Sequence, residues 1–215
     1  VTGVSIDTRT LIPGDLFVAL KDKRDGHEYV EEAFKKGAAA AVIDKKLNKR
    51  FEMPLILVSN VMESFRYLAK AARKRSKGKF IAVTGSAGKT STKEMLKVAF
   101  SKKYSVHVTE KNFNNELGVN LTLSNLYPDI DYVIIEIGMN SRGEISPLSK
   151  IVSPDVAIIT SIGQSHLENL KNVQNIMNEK IDICDGLKKN GTCLIPGDFK
   201  FFKKLKKEMV KRKIK

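Results

Sequence analysis

The sequence predicts an α/β protein in two parts, the second built on a parallel, doubly wound sheet, and three observations predict it. From Phe80 onward, apolar runs of strand length ("KFIAVT", "DYVIIEI", "DVAIIT") each lead through a loop into a segment of helical pattern. A glycine-rich turn, "VTGSAGKTSTKEM" at 83–95, joins the first of these strands to its helix. The third observation is size: 215 residues at 42% hydrophobic content can bury a sizeable core. Strands alternating with helices imply parallel pairing with both sheet faces covered, and in such sheets ligands bind beyond the carboxyl ends of the strands.

Taken in order, "GVSIDTR" and "GDLFVAL" read as short strands, and "EYVEEAFKKGA" as a helix closed by a glycine. "AAAVID" and "PLILVS" are apolar runs of strand length, so residues 1–79 form a small α/β unit ending in the helical "VMESFRYLAKAARKRSKG". The basic, Ser/Gly-bearing end of that helix separates two apolar blocks and sets the boundary of a second unit at 80–215. There the helix after the glycine turn covers Ser91–Ser101, a second begins near Leu117, "GEISPLSKI" is a third, and a long helix spans Asn172–Lys189.

Net charge is +14 and unevenly placed: Lys200–Lys215 holds nine Lys/Arg against Glu208 alone, and "KAARKRSKGK" forms a second basic run. Without interleaved aromatics in the latter, and with the look of solvated helix faces in both, these runs argue against a nucleic-acid surface and suit a phosphorylated small substrate. No stretch has the roughly 18 apolar residues of a membrane span, and Val1–Thr10 lacks a secretory pattern, so the expected location is the cytoplasm. The chain starts at Val1 without an initiator Met, which reads as a lost N-terminus. Cys184 and Cys193 form no CxxC pair and are expected to be reduced thiols.

The chemistry concentrates at the glycine turn. In Gly85-Ser86-Ala87-Gly88-Lys89-Thr90, followed by Ser91, the glycines relieve the turn, the helix N-terminus presents unpaired amides, Lys89 adds a charge and Thr90 a hydroxyl for a metal. The spacing is shorter than GxxxxGK[ST], yet every part suits a nucleoside triphosphate. Glu136, next to the end of an apolar strand, is either a Mg²⁺ ligand or the partner of a structural lysine. His166 follows the third strand at the same sheet edge. Lys180 shares a helical stripe with Ile176, Ile183 and Leu187; it is either a desolvated amine or a chain that snorkels to water, and spacing alone favours the second. Asn112, Asn114 and Asn115 either cap the next helix or bind ligand.

These blocks resemble the Mur ligases of peptidoglycan synthesis. "TGSAGKTST" is shared across that superfamily, including folylpolyglutamate synthases. "NFNNELGVNLTL", "IIEIGMNSRGEI" and "TSIGQSHLENLKNVQNIMNEKIDI" look like the branch that joins D-alanyl-D-alanine to a UDP-muramyl tripeptide. "SIDTRTLIPGDLFVAL" and "DGHEYVEEAFKKGA" resemble its UDP-sugar-binding domain. The resemblance implies an ATP- and Mg²⁺-dependent, monomeric amide ligase working through an acyl phosphate. Gly85 to Ser91 and Asn115 would contact ATP, with Lys89 cradling its phosphates; Thr90 and Glu136 would hold one Mg²⁺ and His166 would help hold a second. Lys180 would be carbamylated into a metal ligand, and Ser5, Thr8, Arg9, Asp25, Gly26 and His27 would meet the UDP end of the substrate. Asn120 stands where the family usually has proline, and "KDKRDGH" is shorter than the usual link. The family's third domain is missing after "GTCLIPGD", the central domain is incomplete, and the chain by itself is expected to be inactive. Two rival readings are ligation of a single amino acid, as in the neighbouring branch, and a P-loop nucleic-acid-binding ATPase.

Overall fold

The computed structural model describes residues 1–163, 167–198, 200–212 and 214. The chain divides into two compact units, Val1–Ala72 with Leu123–Asn125, and Arg73–Thr122 with Leu126–Lys215.

The first unit carries a four-stranded, all-parallel sheet in the order β1-β2-β3-β4, with β1 at Val4–Ser5, β2 at Leu16–Val18, β3 at Ala40–Ile43 and β4 at Leu55–Leu57. Helix α1, Val30–Lys35, follows a 3-10 turn at Gly26–Tyr29. It buries Val30 and Ala33 in a core with Phe17, Ala41 and Ile43. Gly37 closes it at φ +85°, the left-handed conformation in which glycine has no Cβ to clash. Helix α2, Val61–Arg75, buries Val61, Phe65, Ala69 and Ala72 along one stripe, while its last turn carries Arg73, Lys74 and Arg75.

The second unit is a five-stranded parallel sheet in the order β6-β7-β5-β8-β9. Its strands are β5 (Lys79–Thr84), β6 (Val106–Val108), β7 (Tyr132–Glu136), β8 (Val156–Ile159) and β9 (Thr192–Leu194). Strand β5 is central, between β7 and β8, and Phe80 to Thr84 of β5 and Val133 to Glu136 of β7 are buried, as expected of strands covered on both faces. Helix α3, Lys89–Ser101, lays Leu96 and Phe100 on the face to which Ile81, Val83 and Ile134 point. Alternate residues of β5 point to the opposite face. There follow α4 (Glu116–Ser124), α5 (Ile145–Val152), α6 (Leu167–Leu170), α7 (Val173–Ile181) and α8 (Phe202–Lys211).

The parallel α/β architecture read from the strand-helix alternation is therefore present. The long helix expected over 172–189 is shorter: α7 stops at Ile181, and the chain tightens into a 3-10 turn at Asp182–Gly186. Its cause is close packing, since a Cβ on Gly186 would lie 2.0 Å from the Ser149 carbonyl oxygen. The Ser149 hydroxyl also donates to the Ile183 carbonyl and accepts from the Gly186 amide. Strands β6 and β9 and helix α8 were not read from the sequence; β6 and β9 are three residues each, too short for a period-two pattern to register. Among the described residues no helix is long and apolar enough to cross a membrane.

Candidate functional site

The glycine turn bridges β5 and α3 at the carboxyl edge of the sheet. Gly88, at φ +83°, turns the chain into α3, whose first internal hydrogen bond runs from the Thr92 amide to the Gly88 carbonyl at 2.9 Å. The amides before Thr92 have no carbonyl one turn back within the helix, which leaves an N-terminus suited to an anion. The segment after β8 braces the turn. Ser161 accepts from the Ser86 amide through its carbonyl (3.0 Å) and from the Ala87 amide through its hydroxyl (2.8 Å), while the Thr160 hydroxyl donates to the Ala87 carbonyl (2.6 Å). Lys89 folds back, its Nζ donating to the Gly85 carbonyl at 2.8 Å.

At the end of the neighbouring strand β7, Glu136 is only 1% exposed. Its Oε2 accepts from the Thr90 hydroxyl at 2.9 Å and its Oε1 from Asn114 Nδ2 at 2.9 Å. A second cation is present that sequence reasoning passed over: Lys93, fully buried, with Nζ 3.8 Å from Glu136 Oε2. Of the two readings of Glu136, metal ligand and partner of a structural lysine, the geometry thus carries features of both. The asparagine cluster also divides its labour. Asn115 Oδ1 accepts from the Gly118 amide (3.0 Å), capping α4, while Asn114 reaches the carboxylate. Asn112 is exposed.

Lys180 on α7 is 2% exposed, so its stem does not snorkel to solvent. Together with Gly85, Lys89, Asn114, Asn115 and the Gly138–Asn140 loop it lines one cleft. Burial, and then the nearby Lys89 charge, pull its pKa down to about 7, against a smaller opposing pull from Glu179. Glu179 is itself engaged, accepting from the Gly143 and Ile145 amides at 2.8 and 3.1 Å and thereby fixing the start of α5. Among the described residues no three His, Cys, Asp or Glu side chains group as a metal site. His166, expected at this edge, lies outside the described residues.

In the first unit the expected substrate residues follow the carboxyl ends of two adjacent parallel strands: Ser5 ends β1, with Thr8 and Arg9 in the next loop, and Asp25, Gly26 and His27 come after β2. Arg9 is exposed and paired with Asp7 at 2.5 Å. Ser5 and Thr8 are buried; the Ser5 hydroxyl donates to the Asp7 carbonyl at 3.0 Å and Thr8 gives its carbonyl to Lys36 Nζ at 2.9 Å. His27 is buried, with Nδ1 2.6 Å from Asp25 Oδ1 and Nε2 accepting from the Asp44 amide at 3.2 Å. Asp25 also meets Lys45 at 2.5 Å, and that ammonium, followed by His27, holds its carboxyl well below the usual range. Gly26 is required sterically, since a Cβ there would lie 2.4 Å from the Leu20 carbonyl oxygen.

Residues 83–215 match the Mur ligase middle domain, and residues 1–98 match the Mur ligase family catalytic domain. The chain belongs to the Mur ligase family. It is 40% identical over 192 residues to a UDP-N-acetylmuramoyl-tripeptide–D-alanyl-D-alanine ligase of Rickettsia prowazekii, covering 89% of this chain and 43% of that relative. A crystal structure of MurF from Acinetobacter baumannii superposes with TM-score 0.86 at 31% identity, covering 97% of this chain and 46% of the other. MurF from Thermotoga maritima in complex with ADP gives TM-score 0.83 at 32% identity, covering 98% and 48%. The chain therefore spans less than half the length of the Mur ligases it matches.

Proposed function

We propose that this chain is part of an ATP-dependent ligase that joins D-alanyl-D-alanine to a UDP-muramyl tripeptide in cytoplasmic peptidoglycan precursor synthesis, acting as a monomer. The observation that carries the reading is the single cleft lined by Lys89 and the buried Lys180, with the Thr90–Glu136 pair at the adjoining strand end. Support also comes from the names of the relatives and from the ADP in the Thermotoga structure.

In this reading the chain holds and orients a triphosphate. On binding, Lys89 exchanges its Gly85 carbonyl for phosphate oxygens, and the α3 amides donate to the same anion. Thr90 and Glu136 are hard oxygen donors 2.9 Å apart, which fits Mg²⁺, whose charge would offset that of the phosphates. The substrate carboxylate oxygen attacks the γ-phosphorus while the bond to the ADP oxygen breaks. The dipeptide amine then attacks the acyl carbon, phosphate leaves with the electron pair, and the amine proton is released.

Lys180 fits the carbamate assigned to it by resemblance. Near neutral pH part of the amine is unprotonated, so nitrogen can attack the carbon of CO2, forming an N–C bond and releasing a proton. The product is an anion close to the Lys89 cation, whose charge acts on Lys180. His166 would help hold a second Mg²⁺, and Ser5, Thr8, Arg9, Asp25, Gly26 and His27 would receive the uridine diphosphate end.

The test is product formation by the full-length protein with ATP, Mg²⁺ and a panel of UDP-muramyl peptides against single amino acids and D-amino-acid dipeptides. The proposal expects phosphate release and a new amide only with the tripeptide and a D-dipeptide together. Product with the dipeptide substrate and a single amino acid would transfer the protein to the neighbouring branch.

A further inference from the structure

We propose that Lys93 is a positioning residue: it supplies the counter-charge of Glu136 while no divalent cation is present, and so sets how tightly that cation is held. The inference rests on the reading of Glu136 as a metal ligand.

Both side chains are buried, Lys93 completely and Glu136 to within 1%. A carboxylate so enclosed is costly without a cation, and neutral donors such as Thr90 and Asn114 do not balance its charge. Lys93 does so from a particular distance. Its Nζ donates to the carbonyls of Thr109 (2.8 Å) and Lys111 (3.0 Å), which hold it 3.8 Å from Glu136 Oε2, beyond hydrogen-bond length. A lysine bonded directly to Oε2 would occupy the lone pair a metal needs. At 3.8 Å it neutralises the charge and leaves that oxygen to the Thr90 hydroxyl, which a metal can share.

The other acid near Lys93, Glu94 at 3.3 Å, is half exposed and screened by water, so the buried charge that Lys93 balances is that of Glu136. The same lysine ties three pieces together. It sits on α3, its bonds hold the loop that leads to Asn114, and Thr109 in that loop accepts the Glu136 amide through its hydroxyl at 3.0 Å. Lys111 holds φ at +48°, a left-handed conformation that the bond to its carbonyl secures.

A positive charge beside a metal ligand lowers the ligand's affinity for a second cation. Replacing Lys93 by Met, similar in length and apolar, therefore has two opposite effects: the metal-free protein loses stability, and divalent cations bind tighter by roughly tenfold, the lower range for removing one like charge a few ångström away in a partly screened site. A side chain that merely fills space and pins the loop would give the first effect without the second.

Binding of Mn²⁺ to nucleotide-free full-length protein, followed by the paramagnetic signal of the free ion, tests this directly. Lys93→Met should bind Mn²⁺ about tenfold tighter than wild type, Lys93→Arg like wild type, and Glu136→Gln not at all. Unchanged or weaker binding in Lys93→Met, with Glu136→Gln losing it, overturns the role of Lys93 while leaving the metal site standing. Equal binding by wild type and Glu136→Gln overturns the metal site and the inference with it. If Lys93→Met does not fold, Mn²⁺ or the added Glu136→Gln change should recover it; failure of both overturns the proposal.

Discussion

Replacing Lys180 by Met should make the protein more stable near neutral pH while abolishing ligation. A lysine moved from 10.5 to about 7 by burial beside Lys89 carries a cost of keeping its charge indoors. At about 1.4 kcal/mol per pH unit the ceiling on that cost is roughly 4–5 kcal/mol. The sign follows from proton counting. Below about 7 the amine is charged in both folded and unfolded chains, and the folded state bears the full cost. Between about 7 and 10.5 the unfolded chain retains a proton the folded one has released, so stability rises with pH; above 10.5 the cost is gone. Methionine has no such dependence. Denaturant unfolding of both proteins in CO2-free buffer across that range should show Lys180→Met ahead by a few kcal/mol at the neutral end, about 2–4 after loss of the lysine's own contacts, with the gap closing toward the alkaline end. Added bicarbonate should narrow the neutral gap by raising wild-type stability alone. Parallel stability curves at all pH values would instead mean that Lys180 keeps its proton in the fold.

Three further outcomes follow from single contacts. Lys89→Ala removes a bond to the Gly85 carbonyl on a half-buried side chain, so stability should change by only about 1 kcal/mol while nucleotide binding, followed calorimetrically in the full-length protein, is lost. Gly138→Ala would place a Cβ 2.6 Å from Asn114 Oδ1, pushing that side chain off Glu136; nucleotide–Mg²⁺ affinity should fall several-fold, about 1 kcal/mol, and unchanged affinity would show that Asn114 is not part of the site. Asn120 is fully buried on α4 with both side-chain amide atoms unpaired, so Asn120→Leu should raise stability by about 1–2 kcal/mol in a thermal scan; a fall would show that the amide is satisfied by an internal water.

Much of the second unit was legible because its buried strands and intervening helices repeat an unambiguous pattern, and because the glycine turn lies between a strand and a helix as phosphate-binding turns do. Glu136 was legible as an acid in an apolar run. Lys93 was not, and the reason is physical. On α3 the apolar residues divide between two faces, Leu96 and Phe100 on the sheet and Met95 and Val98 each 64% exposed, so hydrophobic periodicity does not single out the stripe on which Lys93 is buried. Only the carbonyls of Thr109 and Lys111, sixteen and eighteen positions away, make its burial tolerable, and no local pattern encodes them. Lys180 posed the reverse problem: its stripe was visible, but the choice between burial and snorkelling depended on the cleft it shares with Gly85, Lys89 and the Gly138–Asn140 loop, which lie far from it in sequence. Likewise Asn114 and Asn115 are chemically equivalent in sequence, and only the folded loop separates the amide that reaches Glu136 from the one that caps α4.

If, as proposed, this sheet edge serves to transfer a phosphoryl group to a carboxylate before an amide forms, the fate of one oxygen atom reveals it. The full-length protein is supplied with ATP, Mg²⁺, D-alanyl-D-alanine and a UDP-muramyl tripeptide whose reacting carboxylate carries a heavy-oxygen label. If the carboxylate oxygen attacks the γ-phosphorus, the bond later broken by the amine lies between that oxygen and the acyl carbon, and the phosphate released carries one labelled oxygen. Mass spectrometry of the phosphate should find that atom in wild type and no phosphate from Lys89→Ala. Unlabelled phosphate released together with the amide product would mean that no acyl phosphate forms at this sheet edge.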